Sequence, residues 1–485
     1  MFIPLLFVLT VPHPTFNNNP QLDVVCTNTQ PILSVGNPEG VEQYTITYEL
    51  SRERSFQEVL LRYEGITQQN PHISEKQIEV EDALDDGTYY WRAKTVTEAG
   101  ESDWNTTRFY VDVENSQTFS GYLRAEVLDI TVSGGQDAKN IIDWNDQGQV
   151  TYWNSEPAGA NHQSWVMFDM GKPTPVRRFW MLSTRNSTLG AGWLKDFVWQ
   201  GSSDGVQWVD IQGTKVVGND TYRNIIDFEP VHARYYRLSI STQNALQGQL
   251  NCIIPYVKGE PETPTVPEGD YVLIVGNQMN GFTYTQLAAF VEAQGHQTVT
   301  VPHFKMSLQV LKSLPNKPMA IIFSGNNADW QNLPMFEYYG EFEVYREVDD
   351  IPMMGICAGN EFYAMAYGHS FAHWMGWFDS TMFRITRGEI PSLVEVVPEY
   401  KSDPIFEGIS DGFRAVEIHS WAISPLFLED PRYTEFVETA HTSYIQTLKS
   451  TERPCYSEQF HGAVVNDYNQ SGQYLANFLK IASSK

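Results

Sequence analysis

Cysteine is scarce in this chain, with four residues among 485, all far apart in sequence. That number and spacing exclude a fold built on disulfide bonds and a zinc knuckle made from paired cysteines. Basic residues are also few, since 32 lysines and arginines stand against 59 aspartates and glutamates and give a formal net charge of −27. Binding to nucleic acid needs clustered positive charge, so we expect no nucleic acid partner.

Long apolar runs are missing as well. The run at residues 2–11 is too short to span a bilayer and is typical of the hydrophobic part of a secretory signal. No Lys or Arg precedes Arg52, so the usual basic start of such a signal is absent, and a buried first strand is the alternative interpretation. We predict a signal peptide over 1–17, no transmembrane segment, and a secreted, extracellular or cell-surface protein.

Apolar and aromatic residues are plentiful, at 42% and 13%, which is enough for the cores of about three domains. Residues 18–113 contain short alternating segments such as 44–50 and a turn followed by an aromatic strand at 84–94, with no helical period. This pattern predicts a small β-sandwich. The stretch L-DDGTYYWRAK-TVTEAGESDW-NTTRFYVDV resembles the last strands of fibronectin type III domains.

A second all-β block is predicted over residues 114–258. It contains, in order, the motifs N-x-x-D, T-x-W, W-V-x-F-D-M-G, S-S-D-G-x-x-W and A-R-Y-Y-R-L. This series resembles the discoidin family, the coagulation-factor C-type module that also serves as a carbohydrate-binding module. The resemblance implies a jelly-roll-like sandwich whose loops at one end bind glycans, lipid headgroups or proteins, so we expect a glycan or cell-surface ligand.

The discoidin resemblance also implies site residues. Many members hold a structural calcium, for which Asp143, Asp146 and Thr151 would supply oxygen ligands; a solvated acidic loop is the alternative. Trp144 and Trp193 are candidates for stacking on a sugar ring, and the alternative for both is a place in the core.

A Pro-rich linker at 259–268 leads to a third domain over 269–485. There the pattern changes to strands alternating with helices, beginning with an apolar strand at 271–275 and a helical segment at 284–292. This alternation predicts an α/β layer sandwich of the flavodoxin-like kind with a parallel sheet.

A nucleophile elbow is predicted at residues 355–360, GICAGN. A tight turn between strand and helix lifts a side chain out of the sheet, and its glycines remove Cβ atoms that would clash. Cys357 stands at the apex of the turn. Backbone N–H groups of Gly325 and Ala358 would form an oxyanion hole, and His461, at the end of another strand, would take the thiol proton.

These pieces resemble the class I glutamine amidotransferase superfamily, which includes γ-glutamyl hydrolases. The resemblance rests on G-x-C-x-G, on R-P-x-Y-x-x-Q-F-H, on the closing helix N-x-S-G-Q-Y-L-A-N-F-L, and on the segment 417–421. It implies that Cys357 is the nucleophile and His461 the catalytic histidine. It further implies a small amide or γ-glutamyl substrate and no cofactor for this domain.

Two departures from the family pattern affect the chemistry. The family histidine is followed by Pro-Glu, and the glutamate orients the imidazole, whereas this chain has Gly462 and Ala463. Glu458 and Asp467 are the candidate replacement acids. The usual glutamine after the elbow is Glu361 here, and its charge opposes thiolate formation.

Two hypotheses follow. The first is a secreted or surface-associated cysteine-dependent amide or γ-glutamyl hydrolase that a discoidin-like module directs to glycans. The alternative is a non-catalytic protein that binds glycans or surfaces and carries a degenerate amidotransferase-like domain.

Overall fold

The computed structural model describes the chain in segments. They cover residues 15–16, 25–26, 29–36, 43–67, 73–111, 121–135, 138–142, 153–154, 164–183, 194–219, 223–243, 249–327, 333–366, 372–374, 392–419, 421–423, 428, 435–442, 445–464 and 469–484. Two largely antiparallel β regions precede an α/β domain, which confirms the predicted fold class.

The first region is made of short strands. They are Thr15–Phe16 (β1), Val25–Cys26 (β2), Ile32–Gly36 (β3), Thr45–Ser51 (β4), Leu61–Thr67 (β5), Ile73–Gln77 (β6), Gly87–Thr97 (β7), Gly100–Glu101 (β8) and Asn105–Val111 (β9). One sheet has the order β1-β3-β6 and the other β2-β9-β7-β4-β5. Tyr48 stacks on Trp91 in the core, with ring centroids 5.9 Å apart. The likeness to fibronectin type III stays a prediction.

The second region is a single sheet with long strands. They are Tyr122–Arg124 (β10), Asp129–Val132 (β11), Trp153–Asn154 (β12), Ser164–Ser183 (β13), Leu194–Ser202 (β14), Val209–Asp210 (β15), Arg223–Gln243 (β16) and Gln249–Lys258 (β17). The first half of β13 alternates between fully and partly buried residues, as a half-exposed strand does. Phe179 stacks on Trp199 inside the sandwich, with centroids 3.5 Å apart.

The α/β domain is built on a nine-stranded sheet, with two short strands apart from it. The strands are Tyr271–Gly276 (β18), Gln297–Pro302 (β19), Ala320–Phe323 (β20), Met353–Ile356 (β21), Ala372–Trp374 (β22), Ser392–Val396 (β23), Gly412–Ala415 (β24), Trp421–Ile423 (β25), Phe436–His441 (β26), Ile445–Ser450 (β27) and Cys455–Glu458 (β28). The order in the large sheet is β19-β18-β20-β21-β28-β27-β26-β23-β24, and β22 pairs with β25.

Helices cover the faces of this sheet. The described α-helices are Thr285–Ala293 (α1), Leu308–Ser313 (α2), Tyr339–Glu347 (α3), Ala358–Met365 (α4) and Gly472–Ser483 (α5). The 3₁₀ turns are Val80–Asp82, Ala138–Ile141, His303–Lys305, Met335–Tyr338, Pro398–Tyr400 and Pro404–Phe406. None of the described helices is long and apolar enough to cross a membrane.

The sheet is mixed, whereas the sequence predicted a parallel one. Strands β19, β18, β20, β21 and β28 are parallel neighbours, but the pairs from β28 onward to β24 are antiparallel. The parallel half positions the site, because carboxyl ends of parallel strands meet at one edge of a sheet. The ends of β20, β21 and β28 therefore bring three loops together.

Candidate active site

The elbow at Cys357 has the geometry that its sequence predicts. Strand β21 ends at Ile356, Cys357 adopts φ 55° and ψ −110°, and α4 begins at the next residue. A positive φ is unfavourable for a residue with a Cβ atom, so the surrounding structure must hold it. The neighbouring glycines explain how: a Cβ on Gly355 would lie 2.5 Å from the Gly359 carbonyl oxygen, and one on Gly359 2.4 Å from that of Phe323.

Two backbone amides lie against the sulfur of Cys357. The N–H groups of Ala358 and Asn326 hydrogen-bond to it and favour the thiolate. Ala358 is thus where the sequence placed one oxyanion donor. The other expected donor, Gly325, instead donates its N–H to the hydroxyl of Tyr284. The second amide at the sulfur therefore belongs to Asn326, one residue further along.

The thiol itself is held in its neutral form. Burial raises the pKa of Cys357 well above its usual value, and the charges of Glu361 and Glu458 raise it further. This agrees with the expectation for Glu361, which is buried and accepts a hydrogen bond from Gln459 Nε2 at 3.2 Å. The Cys357 Sγ–H points to the carbonyl oxygen of Ile418 at 3.8 Å.

His461 converges on the same carbonyl. Its imidazole donates to the Ile418 oxygen, while Nε2 is buried without a hydrogen-bond partner among the described residues. Its ring packs edge-on against Tyr284, with centroids 5.1 Å apart. Burial and the neighbouring His419 lower the pKa of His461 to about 4. The imidazole is therefore neutral near pH 7, as a proton acceptor must be.

The candidate replacement acid Glu458 lies fully buried beside the elbow. Its Oε1 accepts the N–H of Gly462 at 3.0 Å, and Oε2 has no hydrogen-bond partner among the described residues. Burial raises the pKa of Glu458 to about 8, so the carboxyl is mostly protonated at pH 7. A neutral acid does not stabilise an imidazolium as the carboxylate of a triad does.

A different acid acts on the histidine. The negative charge of Glu417 raises the pKa of His461, and Glu417 Oε2 lies 3.6 Å from His419 Nε2. The backbone explains this proximity, because the N–H of His461 donates to the carbonyl of Val416 at 2.9 Å. Sequence reasoning had placed the segment 417–421 near the site without giving Glu417 a role.

The remaining predicted site residues lie outside the described residues. These are the replacement acid Asp467, the calcium ligands Asp143, Asp146 and Thr151, and the sugar-stacking candidates Trp144 and Trp193. Their roles stay predictions.

Comparison with known proteins supports both halves of this arrangement. Residues 125–252 match the F5/8 type C domain, and residues 275–481 match glutamine amidotransferase class-I. The glutamine-hydrolyzing subunit of GMP synthase from Methanococcoides burtonii is 30% identical over 171 residues, which are 35% of this chain and 76% of that protein.

Two solved structures resemble different parts of the chain. One subunit of a GMP synthase from Thermoplasma acidophilum matches at 21% identity and TM-score 0.34 over 45% of this chain and 96% of its own. A CBM32 module from Clostridium perfringens, solved with GalNAc-β-1,3-galactose, matches at 14% identity and TM-score 0.24 over 27% of this chain and 94% of its own.

The family matches confirm the predicted order of a discoidin module followed by an amidotransferase domain. The elbow at Cys357, its two amides and the histidine after β28 all lie inside the matched region 275–481. The chain belongs to the class I glutamine amidotransferase family, and an F5/8 type C domain precedes its amidotransferase domain.

Proposed function

We propose that this protein is a cysteine-dependent hydrolase of glutamine-type amides, with Cys357 as nucleophile and His461 as base. The observation that carries the proposal is the left-handed backbone of Cys357 together with the two amides, from Ala358 and Asn326, that face its sulfur. A buried structural cysteine needs neither feature. A nucleophile needs both, the first for presentation and the second for holding a developing oxyanion.

The reaction proceeds through a thioester. His461 Nε2 accepts the thiol proton as the sulfur attacks the carbonyl carbon of the amide, and the oxygen becomes an oxyanion between the two amides. The carbon–nitrogen bond then breaks, and ammonia leaves with the proton from His461. Water, deprotonated by the same imidazole, hydrolyses the thioester to the free acid and restores the thiol.

Glu417 is the group that supports the imidazolium in this mechanism. It is the carboxylate whose charge raises the pKa of His461, while Ala463 fills the family position of the orienting acid. The F5/8 type C domain, in our proposal, binds a glycan or a cell-surface ligand and so localises the hydrolase outside the cell. Calcium beside Asp143 would be structural.

The test is ammonia release from glutamine and from γ-glutamyl amides, measured with the full-length protein and with Cys357→Ala. We expect activity that falls at least about a thousandfold in the variant. Equal release by both proteins, or none by either on any γ-glutamyl amide, would reject the hydrolase.

The alternative, a non-catalytic surface-binding protein, is favoured by one set of observations. Ala463 replaces the orienting acid, and both burial and acidic neighbours keep Cys357 protonated. A glycan array probed with and without chelator would show glycan binding in either case, so the ammonia assay decides between the two functions.

A further inference from the structure

The F5/8 type C domain and the amidotransferase domain share one hydrophobic core. A single cluster of buried side chains includes Trp180, Leu182, Cys252, Ile254 and Tyr256 from the first domain and Tyr271, Phe336 and Tyr338 from the second. A module that serves only as a tether needs no such contact with the domain it carries.

A buried ion pair crosses this shared core. Arg124 in β10 donates to both carboxylate oxygens of Glu337, at 2.7 and 2.6 Å, and the two side chains are only 4% and 1% exposed. The hydroxyl of Tyr256 in β17 donates to the same carboxylate at 2.6 Å. Burial alone would raise the pKa of Glu337, but the Arg124 charge and these bonds hold it at about 2.

The contacts continue from Glu337 into the amidotransferase domain. His303 Nε2 lies 3.1 Å from Glu337 Oε2, and the His303 ring stacks face to face on Tyr338, with centroids 4.0 Å apart. The hydroxyl of Tyr338 donates to the carbonyl of Asn277 at 2.9 Å and accepts from Asn326 Nδ2 at 3.0 Å. Asn326 is the residue whose backbone N–H faces the Cys357 sulfur.

A connected set of buried contacts therefore runs from Arg124 and Tyr256 in one domain to Asn326 in the other. We infer that the F5/8 type C domain positions the amide of Asn326 through Glu337 and Tyr338, in addition to any ligand it binds. Tyr256, Glu337 and Tyr338 are positioning residues. Their effect on catalysis rests on the proposed hydrolase, whereas their effect on the Asn326 loop does not.

Tyr256→Phe tests the inference from the distant domain. It removes one hydroxyl from Glu337 and leaves the aromatic packing. Tyr236→Phe is the matched control, because Tyr236 is equally buried in the same domain but its hydroxyl serves the carbonyls of Thr174 and Val231. A second pair within the amidotransferase domain is Tyr338→Phe with the control Tyr271→Phe, whose hydroxyl serves Asn316.

The direct measurement is hydrogen–deuterium exchange of a peptide spanning residues 320–327 in the full-length protein. We expect about tenfold faster exchange in Tyr256→Phe and Tyr338→Phe, since each loses a hydrogen bond that holds the loop. The two controls should exchange at the wild-type rate. Wild-type exchange in both test variants, or equal acceleration in the controls, would overturn the inference.

Ammonia release gives the second measurement. If the proposed function holds, kcat falls in the test variants while KM stays unchanged, because an oxyanion donor acts only in the transition state. If the wild-type protein releases no ammonia, the hydrolase fails, but the exchange rates still decide the positioning. Faster exchange with unchanged kcat would overturn the assignment of Asn326 as the donor.

Discussion

Two glutamates of the amidotransferase domain are almost equally inaccessible to water but have opposite charge states. Glu337 meets Arg124, Tyr256 and His303, and its pKa falls to about 2. Glu458 has one backbone N–H as its partner, and its pKa rises to about 8. Burial disfavours the charged form in both, so the partners decide which form prevails.

The difference separates a structural site from a reactive one. At the domain interface, a charge is enclosed with its counter-charge and contributes to one fixed arrangement. Beside the elbow, Glu458 Oε2 and His461 Nε2 are buried without hydrogen-bond partners among the described residues. Unsatisfied buried polar atoms are costly, and they are tolerated where a substrate or a proton uses them.

The largest expected effect comes from removing the charge at the interface. Glu337→Gln leaves the Arg124 guanidinium buried without its counter-charge, which should lower the free energy of unfolding by about 3–5 kcal/mol at pH 7. The difference from wild type should shrink as the pH falls from about 4.5 towards 2, because the depressed pKa of Glu337 stabilises the folded state only while the carboxylate is charged. Urea denaturation measures both.

The double variant Arg124→Met with Glu337→Leu is the control for that loss. Replacing a buried ion pair with apolar side chains of similar size is often neutral, so we expect most of the stability to return. A Glu337→Gln protein as stable as wild type would show that the interface charge is not needed.

The same substitution at Glu458 should act in the opposite direction. Because its folded pKa is raised, wild-type protein loses stability as pH rises from about 4.5 to 8, where the unfolded chain is already ionised. The full shift sets a limit of about 5 kcal/mol, and we expect Glu458→Gln to regain about 2–3 kcal/mol at pH 8.5. Denaturation curves at pH 5 and 8.5 test this. A variant less stable than wild type at pH 8.5 contradicts it.

Steric crowding at the second loop of the site offers a smaller test. A Cβ on Gly325 would lie 1.9 Å from the Tyr284 hydroxyl and 2.9 Å from Cys357 Cβ, so Gly325→Ala must displace Tyr284. We expect a loss of about 1–3 kcal/mol in stability. Gly269→Ala is the control, since its nearest neighbour is Gln297 Nε2 at 3.7 Å. Equal stability of the two variants would mean that the loop yields without strain.

The smallest expected effect is a gain of function. Ala463→Glu combined with Glu458→Val restores a carboxylate at the family position and removes the neutral acid beside the elbow. A charged partner for the imidazole should raise kcat for ammonia release about tenfold, or about 1.4 kcal/mol. Unchanged kcat in a stably folded variant would indicate that Glu417 already supplies the charge that His461 needs.

The sequence predicted the features that depend on neighbouring residues. The apolar run at 271–275 forms the buried strand β18, and the glycines around Cys357 mark contacts that exclude a Cβ atom. Features that depend on distant residues were missed. The Tyr284 hydroxyl takes the Gly325 amide from 41 positions away, and Arg124 meets Glu337 across 213. Residue patterns along a strand or helix carry no information about such pairs.

The most direct test of the site is labelling with a chloroketone analogue of glutamine, followed by mass spectrometry. The account predicts a thioether at Cys357 with loss of chloride, protection by glutamine, and a rate that rises between pH 7 and 9 because burial keeps the thiol protonated at neutral pH. Labelling that glutamine does not slow, or labelling at Cys252 or Cys455 with Cys357 left unmodified, would contradict it.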